Sequence, residues 1–315
     1  MKFAKETNLR EVSPETAEVL VEALPWIKNI TGKTIVIKYG GSAMVDDKLR
    51  SDVMNDIVLL KLVGVNPVIV HGGGNAITQA MKLMNLPVEF KNGQRVTTPE
   101  AMDVVRTVLV GQVNGELVGA LNAHGNFAVG VSGADAGVIM ARQLDPELGR
   151  VGRITRINRA LLTDLVNSDY IPVVATVALG EDGGFYNVNA DVAAGRIASA
   201  IGAHKIVFLT DVDGLYLDFS DKDSLVSNMT LAETKQLLEE GKVSKGMIPK
   251  LKACVQALED GVFRTHIING TTPHALLLEL LTSAGVGTTM HSTEEACRYD
   301  AHPLGNFASK LVENC

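Results

Sequence analysis

Two apolar strands in this chain each run into a glycine-rich turn, Ile35-Val36-Ile37-Lys38-Tyr39-Gly40-Gly41 and Val68-Ile69-Val70-His71-Gly72-Gly73-Gly74-Asn75, with one helix-length segment between them. The pattern predicts neighbouring parallel strands whose turns face one cleft at the carboxyl edge of an open α/β sheet. Glycine lacks a Cβ, so the N–H groups of such turns approach an anion closely, and the helix N-terminus behind each turn adds partial positive charge. Lys38, at the tip of the first strand, adds a full charge. The arrangement suits an anion held at both ends.

The chain has 315 residues, 46% of them hydrophobic, enough for one large or two modest domains. Its formal charge of −7 argues against a nucleic-acid surface, so an anionic ligand must be held by local charge. Cys254, Cys297 and Cys315 lie far apart with no C-x-x-C pair, which suggests neither a disulfide framework nor a zinc knuckle and predicts a reducing, cytoplasmic setting. No apolar run is long enough to span a bilayer. The acids Glu6, Glu11, Glu15, Glu18 and Glu22 make the first residues unlike a transit peptide.

Ser13-Pro14-Glu15 reads as a cap opening a helix through about Lys28, with Ala17, Leu20, Val21, Leu24 and Ile27 as its apolar stripe. Such a helix packs either on its own domain or, as an arm, on another subunit. Strand and helix then alternate: a strand over 34–38, a helix over 47–63, a strand over 67–70 and a helix over 75–84. A helix capped by Thr98 is predicted over 99–109, strands over 127–131 and 172–177, and hairpins around 149–155 and 181–187. Asn189 is placed to cap a helix through Ala200. A strand over 205–209, a helix over 250–258, a strand over 266–268 and a capped helix start at Thr272-Pro273-His274 complete the series. Alternation restarts near Asp191, which divides the chain into an arm (1–30), a first domain (31–190) and a second (191–315).

Familiar nucleotide motifs are missing. Gly32-Lys33-Thr34 ends like a P-loop, but Ile27 stands where its first glycine belongs, and Ile77 spoils a dinucleotide fingerprint after Gly72 and Gly74. Other residues carry more. Lys250 opens a helix after Gly246-Met247-Ile248-Pro249, and Asp191, at another helix start, could pair with both Lys38 and Lys250. Asn187 and Asn189 flank Val188 at strand spacing, and Arg95 is a candidate carboxylate clamp. Taken singly, each has a bland alternative: solvated lysine, helix-dipole compensation, solvated arginine. Together they describe anions on two sides and no nucleophile in the protein. Phosphoryl transfer from ATP to a carboxylate fits, because a carboxylate is already ionised and needs no general base.

The segments IVIKYGG (35–41), PVIVHGGGN (67–75), LPVEFKNGQRVT (86–97), YNVNAD (186–191), FLTDVDGLY (208–216) and GMIPK (246–250), in this order, resemble the amino acid kinase family, in the branch acting on N-acetyl-L-glutamate. The resemblance implies an open αβα sandwich with a mostly parallel sheet, 31–190 binding the acyl amino acid and forming dimers, and 191–315 binding ATP with Mg²⁺ held mainly by its phosphates. Carried onto matching positions, it makes Lys38, Lys250 and Asp191 catalytic. Gly72, Gly73, Arg95, Asn187 and Asn189 would hold the acceptor. Lys38, Gly40, Gly41, Thr210, Asp211, Gly246, Met247 and Lys250 would meet the nucleotide.

The N-terminal helix and the series His274, Glu279, Gly285, Gly287 are similar to the arginine-inhibited members, which implies a hexamer of three dimers and an L-arginine site that also includes Lys205. Whether a nitrogen-signalling protein docks on that ring stays open. One departure concerns Ser132-Gly133-Ala134-Asp135-Ala136-Gly137, where the family has a polar residue at the Ala134 position and Gly at the Ala136 position. The rivals are kinases of the same fold acting on glutamate, aspartate, carbamate or uridylate, and a non-catalytic arginine-sensing scaffold.

Overall fold

The computed structural model describes residues 14–292 apart from 45, 92, 245 and 284, with the backbone alone at 14–17, 42 and 43. The expected Ser13 cap, Cys297, Cys315 and the remainder of the arm and of the C-terminal stretch lie outside the described residues. Helix α1 (Pro14–Ile30) runs on past Pro25 and is followed by β1 (Thr34–Tyr39), α2 (Asp47–Leu62), β2 (Asn66–His71) and α3 (Gly74–Leu83). Asp46 starts α2 by accepting from the Leu49 N–H at 2.9 Å.

A short ribbon, β3 (Phe90–Lys91) and β4 (Gln94–Arg95), leads to α4 (Pro99–Arg106), capped by Thr98. The helix does not end near 109 as expected: a π-helical turn, Thr107–Val113, carries it into α5 (Asn114–Asn122). Gly111 and Gly115 weaken local helix propensity. Burial of Val108, Leu109, Val113, Leu117 and Leu121 outweighs that loss.

Strands β5 (Ala128–Ser132), β6 (Ile139–Gln143) and β7 (Gly152–Ile157) precede α6 (Ala160–Asn167), a helix the sequence reading misses. Then come β8 (Ile171–Ala175), β9 (Val177–Gly180) and β10 (Phe185–Asn187), the last two forming the hairpin expected over 181–187. Beyond them lie α7 (Ala190–Ala200), β11 (Lys205–Thr210), β12 (Leu215–Tyr216), β13 (Leu225–Val226) and β14 (Asn228–Thr230). Helix α8 (Leu231–Glu239) begins with a Thr230–Glu233 capping box, and α9 (Ile248–Glu259), β15 (Arg264–Asn269), α10 (Ala275–Leu281) and β16 (Thr288–His291) follow. His274, in a left-handed conformation, is the N-cap of α10 and makes no side-chain cap, so Thr272 does not open that helix as expected.

Eight strands form one sheet in the order β14-β16-β15-β11-β1-β2-β8-β5, parallel except where β16 meets β15. A smaller four-stranded sheet, β10-β9-β6-β7, lies alongside. Because β2 flanks β1 on one side and β11 on the other, the carboxyl end of β1 is the switch point where such sheets open a crevice.

Alternation along β1 splits the core. Ile35, Ile37 and Tyr39 enter the layer containing Trp26, Ile57 and Leu117, whereas Val36 enters the layer containing Ala194, Ile197 and Leu251. Lys38 continues the Val36 face and so points at α7. In α1, Trp26 and Ile30 are buried while Val19, Leu20, Val21 and Leu24 are 58–68% exposed. The helix end packs on its own core, and its leading apolar face has no cover within the described residues.

Candidate active site

Lys38 ends up at the tip of β1 because Ile35, Val36 and Ile37 before it alternate into two packed layers, and Gly40 behind it leaves room for the ammonium: a Cβ there would lie 3.2 Å from Lys38 Nζ. Asp191 sits in the first turn of α7, which Asn189 starts by accepting from the N–H groups of Asp191 (2.9 Å) and Val192 (3.1 Å). Asp191 Oδ1 lies 3.0 Å from Lys38 Nζ, and its Oδ2 lies 3.4 Å from Lys250 Nζ, which projects from the first turn of α9. Three elements distant in sequence thus meet at one carboxylate. Burial pushes the Asp191 carboxyl up, but the two ammonium groups outweigh it and hold the group below its ordinary range.

A cavity of about 600 Å³ opens beside this cluster, lined by Lys38, both glycine turns, Arg95 and Asn187. Arg95 is buried, with Nη2 donating to the Gly74 carbonyl (3.0 Å) and to Thr78 Oγ1 (2.7 Å) and its guanidinium 4.8 Å from the Phe90 ring centroid. No carboxylate among the described residues pairs with it, and burial lowers its pKa. A buried cation without a counter-charge is costly, so a ligand carboxylate would relieve it.

Asn187 and Asn189 both line the cavity, but from different elements. Strand β10 ends at Asn187, whose amide donates to Thr97 Oγ1 at 3.3 Å, and Asn189 is the N-cap of α7. One strand therefore does not carry both as expected, and the Asn189 side-chain Oδ1 is committed to the cap. Thr210, Asp211, Gly246 and Met247 do not line this cavity. Thr210 and Asp211 stand at the carboxyl end of β11, one strand over from β1, and Met247 is the buried N-cap of α9.

Residues expected at an arginine site fall into two groups. Glu279 is buried; its Oε1 accepts from His266 Nδ1 (2.7 Å) and Thr289 Oγ1 (3.0 Å), and its Oε2 from the N–H groups of Val286 (2.8 Å) and Gly287 (3.2 Å). Burial raises the Glu279 carboxyl, yet those donors hold it at about 2. Gly285, at φ +62, passes so close that a Cβ would lie 3.0 Å from Glu279 Oε2. Lys205 is in electrostatic reach of Glu279, and burial together with Arg264 pulls its pKa down to about 8. His274 stands apart, its Nδ1 2.6 Å from Asp56 Oδ1 of α2.

Ala136, at the family's glycine position, adopts φ 49 and ψ 19, so the loop keeps a left-handed turn without glycine. Among the buried polar residues to which the sequence reading gives no role are His71 and Asn114. The signal for Asn114 was a polar residue beside the apolar series Leu109, Val113, Leu117 and Leu121.

The geometry brings two ammonium groups, two glycine turns and a buried guanidinium to the crevice of an α/β fold, a set of groups suited to anions. A family model described as "Amino acid kinase family" matches residues 33–269, and the chain belongs to that family. It is 51% identical over 289 residues to an acetylglutamate kinase of Bifidobacterium animalis subsp. lactis, covering 89% of this chain and 94% of the relative. An acetylglutamate kinase of Petrotoga mobilis is 51% identical over 274 residues, covering 86% and 92%. Among solved structures, N-acetylglutamate synthase from Neisseria gonorrhoeae in complex with coenzyme A and N-acetyl-glutamate superposes with a TM-score of 0.78 at 24% identity, over 88% of this chain and 63% of that one. Carbamate kinase from Giardia lamblia bound to AMP-PNP gives 0.61 at 16% identity, over 83% and 99%. These two likenesses speak for the fold.

Proposed function

We propose that this chain transfers the γ-phosphoryl group of ATP to the γ-carboxylate of N-acetyl-L-glutamate, giving N-acetyl-L-glutamyl 5-phosphate in arginine biosynthesis. The observation that carries the reading is the single carboxylate of Asp191 holding the Lys38 and Lys250 ammonium groups, with Asp191 and Lys38 lining a cavity that also contains Arg95, which has no carboxylate partner among the described residues. Relatives named acetylglutamate kinase at about half identity support the choice of acceptor.

Arg95 grips the α-carboxylate, with Asn187 beside it, and leaves the γ-carboxylate directed at the lysines. That oxygen attacks the terminal phosphorus in line and the bond to the ADP oxygen breaks; no proton moves. Charge on the transferring group falls on the Lys38 and Lys250 ammonium groups and on the N–H groups of Gly41 and Gly73, which are in place beforehand and so act mainly on the transition state. Thr210, Asp211, Gly246 and Met247 border the nucleotide. A divalent cation, Mg²⁺ in this reading, would be held mainly by the phosphate oxygens and would supply further charge neutralisation.

In the same reading, 31–190 carries the acceptor and the dimer contact, 191–315 the nucleotide, and the exposed face of α1 joins dimers into a hexamer. L-arginine inhibits by binding near Lys205, Glu279, Gly285 and Gly287, with His274 at the start of the same helix as Glu279. The cytoplasm is the proposed location; among the described residues no helix is long and apolar enough to cross a membrane. The test is formation of hydroxylamine-trappable acyl phosphate from N-acetyl-L-glutamate and MgATP. A faster reaction with free glutamate, aspartate or carbamate would overturn the choice of acceptor.

A further inference from the structure

His71 ends β2 immediately before the second glycine turn, and its ring is fully buried. Its Nδ1 lies 3.0 Å from the carbonyl oxygen of Gly72, which can only accept, so Nδ1 must carry the proton. The other nitrogen leads to the same answer independently. Asn114 Nδ2 donates to the carbonyl of Val173 at 2.8 Å, which fixes the orientation of that amide, and the same Nδ2 lies 3.0 Å from His71 Nε2. An amide N–H facing Nε2 requires a lone pair there. Gly130 makes room for the device, since a Cβ at that position would lie 2.1 Å from Asn114 Oδ1. Burial lowers the His71 pKa to about 4, so the ring is neutral throughout the physiological range.

The consequence falls on the next peptide. No peptide bond among the described residues is cis, and in a trans peptide the C=O and the following N–H point in opposite directions. Fixing the Gly72 carbonyl against His71 therefore aims the Gly73 N–H the other way. His71 lies on the face of the sheet that packs against α5, and Lys38 and Asp191 lie on the opposite face. Gly73 lines the cavity, and its N–H has no partner among the described residues.

We propose that His71, locked as its Nδ1–H tautomer by Asn114, is a positioning residue that orients the Gly72–Gly73 peptide so that the Gly73 N–H meets the transferring phosphoryl group. The role rests on the phosphoryl-transfer reading of this site. Two substitutions separate its parts. In H71N an amide nitrogen can occupy the place of Nδ1 and still donate to Gly72; in H71Q the amide reaches only the place of Nε2.

The experiment measures steady-state kinetics with N-acetyl-L-glutamate and MgATP for both variants, and the nitrogen chemical shifts of isotope-labelled histidine in the wild-type protein. H71Q is expected to lose about 10- to 100-fold in kcat with KM values changed less than about threefold, and H71N to recover most of that loss. The wild-type ring is expected to show a protonated Nδ1 and an unprotonated Nε2. An Nε2–H tautomer, an unimpaired H71Q, a KM loss as large as the kcat loss, or an H71N as poor as H71Q would each overturn the role. Because the tautomer is read on the wild-type protein, it decides even if neither variant folds. A wild-type protein inactive on every acceptor counts against the proposed reaction, whereas an active one with unimpaired H71Q removes only the positioning role.

Discussion

Asp191 Oδ1 and Lys38 Nζ lie 3.0 Å apart, with side chains only 9% and 11% exposed, so the cluster's one negative charge is spent inside the protein. That carboxylate keeps two ammonium groups close together in a site that must also accept anions. Asp191→Asn removes the counter-charge while preserving shape. We expect kcat to fall by about 100-fold or more and stability to fall by about 3–5 kcal/mol, the range for leaving a buried charge unpaired. The folded-state pKa of Asp191 is depressed, so its contribution is present above the ordinary carboxylate pKa of about 4 and lost as pH falls through the folded value. Urea unfolding as a function of pH should show a flatter acid limb in Asp191→Asn than in wild type.

The Asp56–His274 pair ties α2 to α10 and gives a dependence at higher pH. Burial raises the Asp56 carboxyl to about 6, and the bond to Asp56 raises the His274 imidazole. Both folded-state values lie above the unfolded ones, so the folded form binds more protons, and its stability falls as pH rises through the folded values. Wild-type unfolding free energy should therefore decline from about pH 4 through about pH 6 more steeply than that of Asp56→Asn. Equal slopes would remove the pair as the cause.

Ala136 in a left-handed turn carries strain of about 1–2 kcal/mol that glycine would not, partly offset by glycine's greater freedom when unfolded. Ala136→Gly is expected to raise the unfolding free energy by roughly 0.5–1 kcal/mol in urea titrations.

The leading face of α1 gives an assembly prediction. Leu20 and Leu24 are 68% and 58% exposed, apolar area of the kind that marks an interaction site. If α1 joins dimers as proposed, Leu20→Glu with Leu24→Glu should reduce the sedimenting species from the proposed hexamer to a dimer and weaken the proposed arginine inhibition, with turnover retained. An unchanged mass would dissociate α1 from assembly.

Lys38, Asp191 and Lys250 were legible in the sequence because each sits at the tip or first turn of an element whose punctuation is local: Gly40 after β1, Asn189 before α7, Pro249 in α9. Asn189 was legible as a cap but not as leaving the strand, since strand spacing alone does not reveal where β10 stops. His71 and Asn114 lie 43 positions apart and meet only because buried leucines and valines carry a helix through two glycines and a π turn. The same holds for Asp56 and His274, separated by 218 positions. As for α1, periodicity showed an apolar stripe but not its division, with Trp26 and Ile30 in the core and Leu20 outside it.

The central claim is that the paired ammonium groups act on the transferring phosphoryl group rather than on either substrate at rest, and the kinetics of Lys250→Ala test it most directly. With N-acetyl-L-glutamate and MgATP, kcat should fall at least about 100-fold while both KM values change by less than about threefold. A kcat close to that of wild type, or a loss carried mainly by KM, would contradict the account.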